Sequence, residues 1–245
     1  MKAPIENQFI RLAEQYVLTE LNEHGYVLLE DFPEDEILKL LGSIGTIFMQ
    51  ESGARHAVKY EDGFDDYRYS KSLNEIGPHT EFPFYECPPR IQVLYCMQQA
   101  NCGGGQTYLC PVNSFIKSLS DDQLELLTNT LINFSANKDL AGLTTRSASF
   151  PLLRKNAGSF IFRFSHNLLY YGDINAKVKN EAKVTGTIGN DIGEIVDKLL
   201  VYLEENRVEK NIPQNGLLLW HNHSVLHWRN SFTDKRRHLI RYLLD

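Results

Sequence analysis

Residues 237–244 read Arg-His-Leu-Ile-Arg-Tyr-Leu-Leu. Side chains alternate between the two faces of a strand, so Arg237 and Arg241 are predicted to share one face with Leu239. A buried guanidinium needs a partner, because an unpaired buried charge is costly. The pattern therefore predicts a strand whose inner face presents arginine to a carboxylate ligand or, alternatively, to an acidic side chain at the barrel rim.

Similar strand-like segments recur along the chain, and amphipathic helices separate some of them. The segments rich in β-branched, aromatic or leucine residues are 90–97, 107–109, 159–164, 216–220 and 237–244. The predicted helices cover about 5–21, 33–41, 120–129 and 191–206. Strands this far apart in sequence must meet in space. The prediction is a mainly β fold with flanking helices, a barrel or sandwich rather than a parallel α/β sheet.

The chain has 245 residues and a mass of 28.2 kDa, and we predict one domain over residues 1–245. Its N-terminal helical flank covers about 1–45. Residues 135–158 are polar and show little periodicity, with Gly142 and Gly158 as candidate hinges. Such a long loop in a compact domain is typical of a lid over a site.

Composition excludes several classes of protein. The 25 basic and 31 acidic residues give a net charge of −6, without a basic stripe, so nucleic acid and membrane surfaces are not expected partners. The N-terminal residues lack the apolar run of a signal peptide, and a cytoplasmic protein is expected. The four cysteines show no zinc-ribbon spacing and are expected to be reduced thiols.

A pair of candidate metal ligands lies in the middle of the chain. In an extended segment His79 and Glu81 point to the same side. One imidazole and one carboxylate are two of the three ligands of the facial triad that suits Fe(II) and leaves positions open for a cosubstrate and O₂. His221, His223 and His227 are three candidates for the remaining ligand.

Two motifs together resemble a known family. His79-Thr-Glu81 is followed by Pro88-Pro89 and a glycine-rich turn, Gly103 to Thr107. The later motif is His227-Trp-Arg-Asn-Ser and then Arg237-His-Leu-Ile-Arg241. In this order and at this spacing they are similar to the taurine dioxygenase family of Fe(II)/2-oxoglutarate oxygenases, which includes γ-butyrobetaine hydroxylase and clavaminate synthase.

The resemblance implies a distorted double-stranded β-helix, or jelly-roll, and assigns roles to residues. His79, Glu81 and His227 would bind iron. Arg237 and Thr107 would bind the distal carboxylate of 2-oxoglutarate, with Arg241 near the cosubstrate or a substrate anion. O₂ would then drive hydroxylation or desaturation of a small polar, amino-acid-like metabolite, free or carrier-bound, with release of succinate and CO₂.

Three further residues are candidates for substrate binding. Arg163 alternates with aromatic residues and is predicted either to meet a substrate carboxylate or to form a structural ion pair. Tyr67 and Arg68 precede the first motif and are candidates for lining the pocket.

The alternatives to an oxygenase are a catalytically silent ligand-binding barrel and another metal-dependent chemistry on the same fold, such as zinc-dependent hydrolysis or an O₂-only dioxygenase.

Overall fold

A computed structural model describes residues 3–50, 53–136, 147–156, 158–180 and 189–245. The helices are α1 (Ala3–His24), α2 (Ile37–Ile44), α3 (Asn113–Ser118), α4 (Asp121–Asn129), α5 (His166–Tyr171) and α6 (Asn190–Asn206). The strands are β1 (Tyr26–Leu29), β2 (His56–Lys59), β3 (Ile76–His79), β4 (Ile91–Gln98), β5 (Thr107–Pro111), β6 (Leu131–Ser135), β7 (Ser147–Pro151), β8 (Leu153–Asn156), β9 (Ser159–Phe162), β10 (Val208–Lys210), β11 (Leu217–His221), β12 (Val225–Arg229) and β13 (His238–Leu244).

Two larger sheets form the body of the described part of the chain. One contains five strands in the order β1-β11-β4-β13-β2, and the other contains four in the order β10-β5-β12-β3. The strand pairs in both sheets are antiparallel. The predicted mainly β fold with flanking helices is confirmed at this level.

The alternation predicted for the last strand is confirmed by what each face contacts. Leu239 packs with residues of the neighbouring strands, including Leu218 and Trp220, in one apolar cluster. Ile240 and Tyr242 belong to a different cluster that contains apolar residues of α1 and α2. The N-terminal helices therefore cover the outer face of the five-stranded sheet and leave the other face to the interior.

The predicted helices are present, with differences at their ends. The helix α2 runs past Gly42 to Ile44, so the prediction that Gly42 lies beyond its end is wrong. Ile44 is 7% exposed, and burying this side chain outweighs the modest cost of one helical glycine. A complete capping box formed by Ser120 and Gln123 begins α4, at the start of the helix predicted over 120–129.

The proposed lid is only partly within the described residues. Residues 137–146, which include Gly142, lie outside them. The strand β6, which precedes this gap, pairs with β7, which follows it, and β8 pairs with β9 further along the chain. Leu152 and Leu153 are each 1% exposed, so the later part of the predicted lid is packed. The helices of the described residues include none long and apolar enough to cross a membrane.

The strand-like segments predicted from composition include neither β3 nor β12, and these two strands carry the candidate site. β3 is short and contains Gly77 and Pro78, which disfavour a strand prediction. β12 lies between β5 and β3, and its register places His227 opposite His79. Residues separated by 148 positions in the sequence are thus neighbours across a strand pair.

Candidate metal centre

The two histidines and the carboxylate come together at the end of β3. The ring centroids of His79 and His227 are 4.0 Å apart. The extended segment predicted through Glu81 stops at His79, and Glu81 lies in the turn that follows. Its side chain nevertheless approaches both histidines, so that one ligand atom from each of the three residues lies within 4.8 Å of the other two.

Both imidazoles are in the neutral form that binds metals. His79 Nδ1 lies 2.9 Å from the carbonyl oxygen of Gly77, so a proton on Nδ1 leaves the Nε2 lone pair available. Burial lowers the pKa of His79, and burial together with the neighbouring His79 lowers the pKa of His227 well below its usual value. The pair therefore presents neutral nitrogen donors.

Arg241 holds the carboxylate of Glu81. Arg241 Nη1 donates to Glu81 Oε1 at 2.6 Å, and His227 Nε2 lies 4.0 Å from Glu81 Oε2. Arg241 is itself fixed, because its Nε and Nη2 both donate to Gln50 Oε1, at 3.2 and 2.6 Å. One oxygen of Glu81 is thus bound to the guanidinium, and the other faces the histidine.

Asn222 fixes the backbone of Glu81. Its Oδ1 accepts a hydrogen bond from the Glu81 amide at 2.6 Å, and its Nδ2 donates to the Glu81 carbonyl at 3.0 Å. Nδ2 also donates to the Pro89 carbonyl at 2.9 Å. Asn222 is 1% exposed and lies in the turn between β11 and β12, just before the strand that carries His227.

A cavity of about 280 Å³ opens beside this cluster and includes His79 and Glu81 in its wall. Its wall combines aromatic and aliphatic side chains with polar and charged ones. The other lining residues are Gln50, His56, Arg68, Tyr69, Ser70, Ile76, Thr80, Phe82, Pro83, Phe84, Tyr85, Ala136, Ser165, Asn167, Ile174, Asn175 and Arg241. A metal bound by the three ligands would therefore lie next to a space suited to a small molecule.

Arg237 and Thr107 lie outside the wall of this cavity. Arg237 lines a separate cavity at the glycine-rich turn, and its Nη2 donates to the Gly105 carbonyl at 3.2 Å. Its Nη1 is buried and has no hydrogen-bond partner among the described residues. Burial lowers the pKa of Arg237 to about 10. Thr107 is 3% exposed, on β5, directly opposite Arg229.

Arg229 and Arg237 are two buried cations that flank the same ring. Their guanidinium carbons lie 4.8 and 5.1 Å from the centroid of Phe232. Arg229 donates to the backbone carbonyls of Ser70, Ser72 and Asn74. Among the described residues neither arginine forms an ion pair with a carboxylate. This part of the protein interior therefore carries positive charge that no carboxylate of the described residues compensates.

The three weaker candidates for substrate binding have different positions. Arg163 is fully buried, and it donates to the carbonyls of Tyr85 and Glu86 at 3.2 and 2.7 Å. It lies outside the cavity wall but supports the backbone of Tyr85, which is in it. Tyr67 pairs with Lys177 and is not part of the wall, whereas Arg68 is.

The other histidines near the C-terminus do not join the cluster. His223 Nε2 lies 2.8 Å from the Pro88 carbonyl, and burial lowers the pKa of His221 to about 4. Within the described ranges, Glu20, Glu23 and His24 form the other group that has metal-ligand geometry. That group is on the surface of α1, where exposed acidic side chains are common without a metal.

Sequence reasoning did not identify Asn222, Gln50 or Phe82 as parts of the site. Phe82 follows Glu81 and has a positive φ of 53°, which is uncommon for a residue with a side chain and is found at functional turns. The position of Asn222 between His221 and His223 was the one feature of the sequence that pointed to a role for it in the site. Asn222 and Gln50 act through hydrogen bonds to residues that are 141 and 191 positions away in the sequence. No local sequence pattern records such contacts.

Comparison with known sequences gives the family. Residues 9–243 match the family described as taurine catabolism dioxygenase TauD, TfdA family. A 3-((Z)-2-isocyanoethenyl)-1H-indole synthase from Fischerella ambigua (strain UTEX 1903) is 25% identical over 176 residues, which are 66% of this chain and 60% of that protein. Human γ-butyrobetaine dioxygenase is 22% identical over 129 residues, 46% of this chain and 33% of that protein. The matches therefore span less than two thirds of these relatives.

Comparison of folds agrees with this. An asparagine oxygenase, solved in complex with Fe(II), 2S,3S-3-hydroxyasparagine and succinate, superposes with a TM-score of 0.68 at 15% identity. The superposition covers 96% of this chain and 79% of that one. At this identity the likeness concerns the fold alone, but the family match extends over nearly the whole sequence, and the chain belongs to the taurine catabolism dioxygenase TauD, TfdA family.

Proposed function

We propose that this protein is an Fe(II)- and 2-oxoglutarate-dependent oxygenase, with the jelly-roll architecture of its family. The observation that carries the proposal is the cluster of His79, Glu81 and His227, whose ligand atoms lie within 4.8 Å of one another. Two imidazole nitrogens and one carboxylate are the donor set that Fe(II) takes in oxygenases with a facial triad.

The surroundings of the cluster suit a divalent metal ion. His79 is oriented by the Gly77 carbonyl, as metal-binding histidines commonly are by a partner on the other ring nitrogen. Arg241 and Asn222 hold the side chain and the backbone of Glu81. The ligands are thus preorganised, and the cavity lies beside them.

When bound, iron with 2-oxoglutarate and O₂ supplies the oxidising power, yielding succinate and CO₂. The chain's residues bind and orient the reactants. The aromatic wall around Phe82 and Phe84 excludes water from the space beside the ligands. Glu81 occupies the carboxylate position, which leaves no room for a halide ligand and disfavours halogenation.

We assign the distal carboxylate of 2-oxoglutarate to Arg237, with Thr107 as a hydroxyl donor. Arg241 already donates through Nε and both terminal nitrogens to Gln50 and Glu81. Arg237 by contrast has a buried nitrogen without a partner and no anion among the described residues. A buried guanidinium in this state is stabilised by a carboxylate, which it can bind with two parallel hydrogen bonds.

The substrate we propose is a small polar, amino-acid-like metabolite that is hydroxylated or desaturated. The proteins named above include an asparagine oxygenase and a 3-((Z)-2-isocyanoethenyl)-1H-indole synthase, and the first of these names supports an amino-acid-like substrate. A silent binding barrel is disfavoured, because a complete set of three ligand atoms has no use in it. Zinc-dependent hydrolysis or O₂-only chemistry would not require the buried, anion-free Arg237.

The test is anaerobic addition of Fe(II) and 2-oxoglutarate to the purified protein. A weak visible charge-transfer band is expected, because the keto acid chelates the metal. His79→Ala and Glu81→Ala should abolish the band, whereas His221→Ala and His223→Ala should keep it. An unchanged band in both of the first two variants would refute the ligand assignment. Loss in His221→Ala equal to that in His227→Ala would identify a different third ligand.

A further inference from the structure

The charges in the cavity wall differ from those expected for a cationic substrate. Among the described lining residues Glu81 is the one carboxylate, and Arg68 and Arg241 are the two guanidiniums. Glu81 is committed to Arg241 and to the metal site. Within the described part of the wall, no carboxylate is left to bind an ammonium or guanidinium group of a substrate.

The two arginines are not equally available. Each nitrogen of Arg241 already donates a hydrogen bond, either to Gln50 or to Glu81. Arg68 uses Nη1 for an ion pair with Glu75, whose side chain is 63% exposed, and Arg68 Nε is buried without a partner. Ion pairs with an exposed carboxylate are weak, because water screens them. Arg68 therefore has more donor capacity left for an incoming anion than Arg241 has.

Packing fixes the position of Arg68. Its guanidinium carbon lies 4.8 Å from the ring centroid of Tyr171, and 13% of its side chain is exposed. Its backbone carbonyl accepts a hydrogen bond from Asn167, at 3.4 Å, and its amide donates to Ala176 at 2.8 Å. A cation held this way loses little conformational entropy when it binds a ligand.

An aromatic surface lies in the same cavity. Phe82, Phe84 and Tyr85 have mutual ring-centroid distances of 5.2 to 5.6 Å, and Phe48 packs against Phe82 and Tyr85. The positive φ of Phe82 and the hydrogen bond from the Tyr85 amide to the Phe82 carbonyl define the turn that presents these rings. Such a surface favours a flat apolar group.

We propose that the substrate carries an anionic group, a carboxylate in the simplest case, that binds Arg68, and an apolar body of aromatic size that packs on Phe82, Phe84 and Tyr85. This inference rests on the proposed function and departs from it in one respect, because it makes the body of the substrate apolar rather than polar. It excludes substrates whose side chain is cationic. It also makes Arg68, rather than Arg241, the residue that selects for charge.

Three ligands of the same shape and different charge test this directly: 3-phenylpropanoate, 3-phenylpropanamide and 3-phenylpropylammonium. Each is titrated calorimetrically into protein loaded with Mn(II) and 2-oxoglutarate without oxygen, so that binding is measured without turnover. We expect the carboxylate to bind at least about 10-fold more tightly than the amide, and the ammonium most weakly. Propanoate, which lacks the ring, should bind at least about 10-fold more weakly than 3-phenylpropanoate.

The variants separate Arg68 from other effects. Arg68→Gln should reduce binding of the carboxylate to that of the amide and leave the amide unchanged. Glu75→Gln should strengthen carboxylate binding, because it removes a competing anion. Arg55→Gln, a control at an exposed arginine paired with Glu34, should behave as the parent.

Several results would overturn the inference. They are tightest binding by the amide or the ammonium, an unchanged carboxylate preference in Arg68→Gln, and no binding of any ring-bearing probe. Mn(II) binding is measured first and separately. Its absence, or its persistence in His79→Ala, would contradict the proposed function instead, so the two failures are distinguishable.

Discussion

Asn222 bonds to both backbone polar groups of Glu81, accepting from the amide at 2.6 Å and donating to the carbonyl at 3.0 Å. Glu81 lies in a turn beyond the end of β3, where no strand ladder holds its backbone. The carboxamide supplies both kinds of hydrogen bond that a neighbouring strand would give. The position of the Glu81 carboxylate in the candidate metal centre thus depends on a side chain 141 residues away.

The first prediction concerns this contact. Asn222→Ala leaves the Glu81 amide and two carbonyls without partners in a buried place, and should lower stability by about 2–4 kcal/mol. Affinity for Mn(II) should fall by about 10- to 100-fold, as is typical when a group that orients a metal ligand is removed. Urea denaturation and calorimetric titration measure the two effects. Asn206→Ala, an exposed control, should change neither, and parental Mn(II) affinity in a folded Asn222→Ala variant would contradict the prediction.

The second prediction concerns Arg237. Arg237→Lys keeps the charge but loses the planar fork, so one of two hydrogen bonds to the carboxylate of 2-oxoglutarate is lost. The cost should be about 1.5–3 kcal/mol, or about 10- to 150-fold in affinity for 2-oxoglutarate. Titration of the charge-transfer band measures it, and iron binding should barely change. A parental affinity for 2-oxoglutarate in Arg237→Lys would place the carboxylate site elsewhere.

Two glycines of the turn before β5 give a matched pair. Gly103 and Gly105 both have positive φ, 74° and 82°, so alanine strains both positions. A Cβ on Gly105 would lie 3.1 Å from Arg237 Nε, whereas one on Gly103 meets nothing within 4 Å. Gly105→Ala should therefore weaken 2-oxoglutarate binding by about 10-fold, the equivalent of one hydrogen bond, and Gly103→Ala should not. Equal effects of the two substitutions would show that backbone strain, not Arg237, is responsible.

A fourth prediction concerns pH. Burial, with a contribution from Arg90, lowers the pKa of His221 to about 4 in the folded chain, and its value in the unfolded chain is near 6.5. Between these values the unfolded state binds more protons, so stability is complete above about pH 6.5 and falls as the pH drops towards 4. His221→Asn should flatten this slope by up to about 1.4 kcal/mol per pH unit in metal-free protein. Urea denaturation at several pH values measures it, and parallel slopes would refute the assignment.

The fifth prediction tests the start of α4. Ser120→Ala removes the acceptor of the Gln123 amide and should cost about 1 kcal/mol. Ser120→Thr keeps the hydroxyl and should stay within about 0.5 kcal/mol of the parent. Chemical denaturation of the three proteins decides the matter, and equal destabilisation by both substitutions would argue against a role for the capping hydroxyl.

Local signals were sufficient for part of the structure. The capping box of α4 and the amphipathic patterns of α1 and α6 depend on residues within a turn or two of one another, and these elements lie where they were predicted. The alternation in β13 was equally visible, because a strand with two different faces has period two. The two short motifs, in their order, were enough to predict the family.

Three-dimensional contacts determined the rest. β3 was hidden by Gly77 and Pro78, yet its pairing with β12 is what places His79 against His227. Arg237 has a buried nitrogen without a partner, whereas Arg241 is bound to Glu81. Nothing in the sequence around either arginine indicates this difference. The residue types and their order are therefore readable from the sequence, because chemistry and periodicity are local. Which side chains share a cavity, and which charges are compensated there, depends on strand register and burial, which arise only when distant segments pack together.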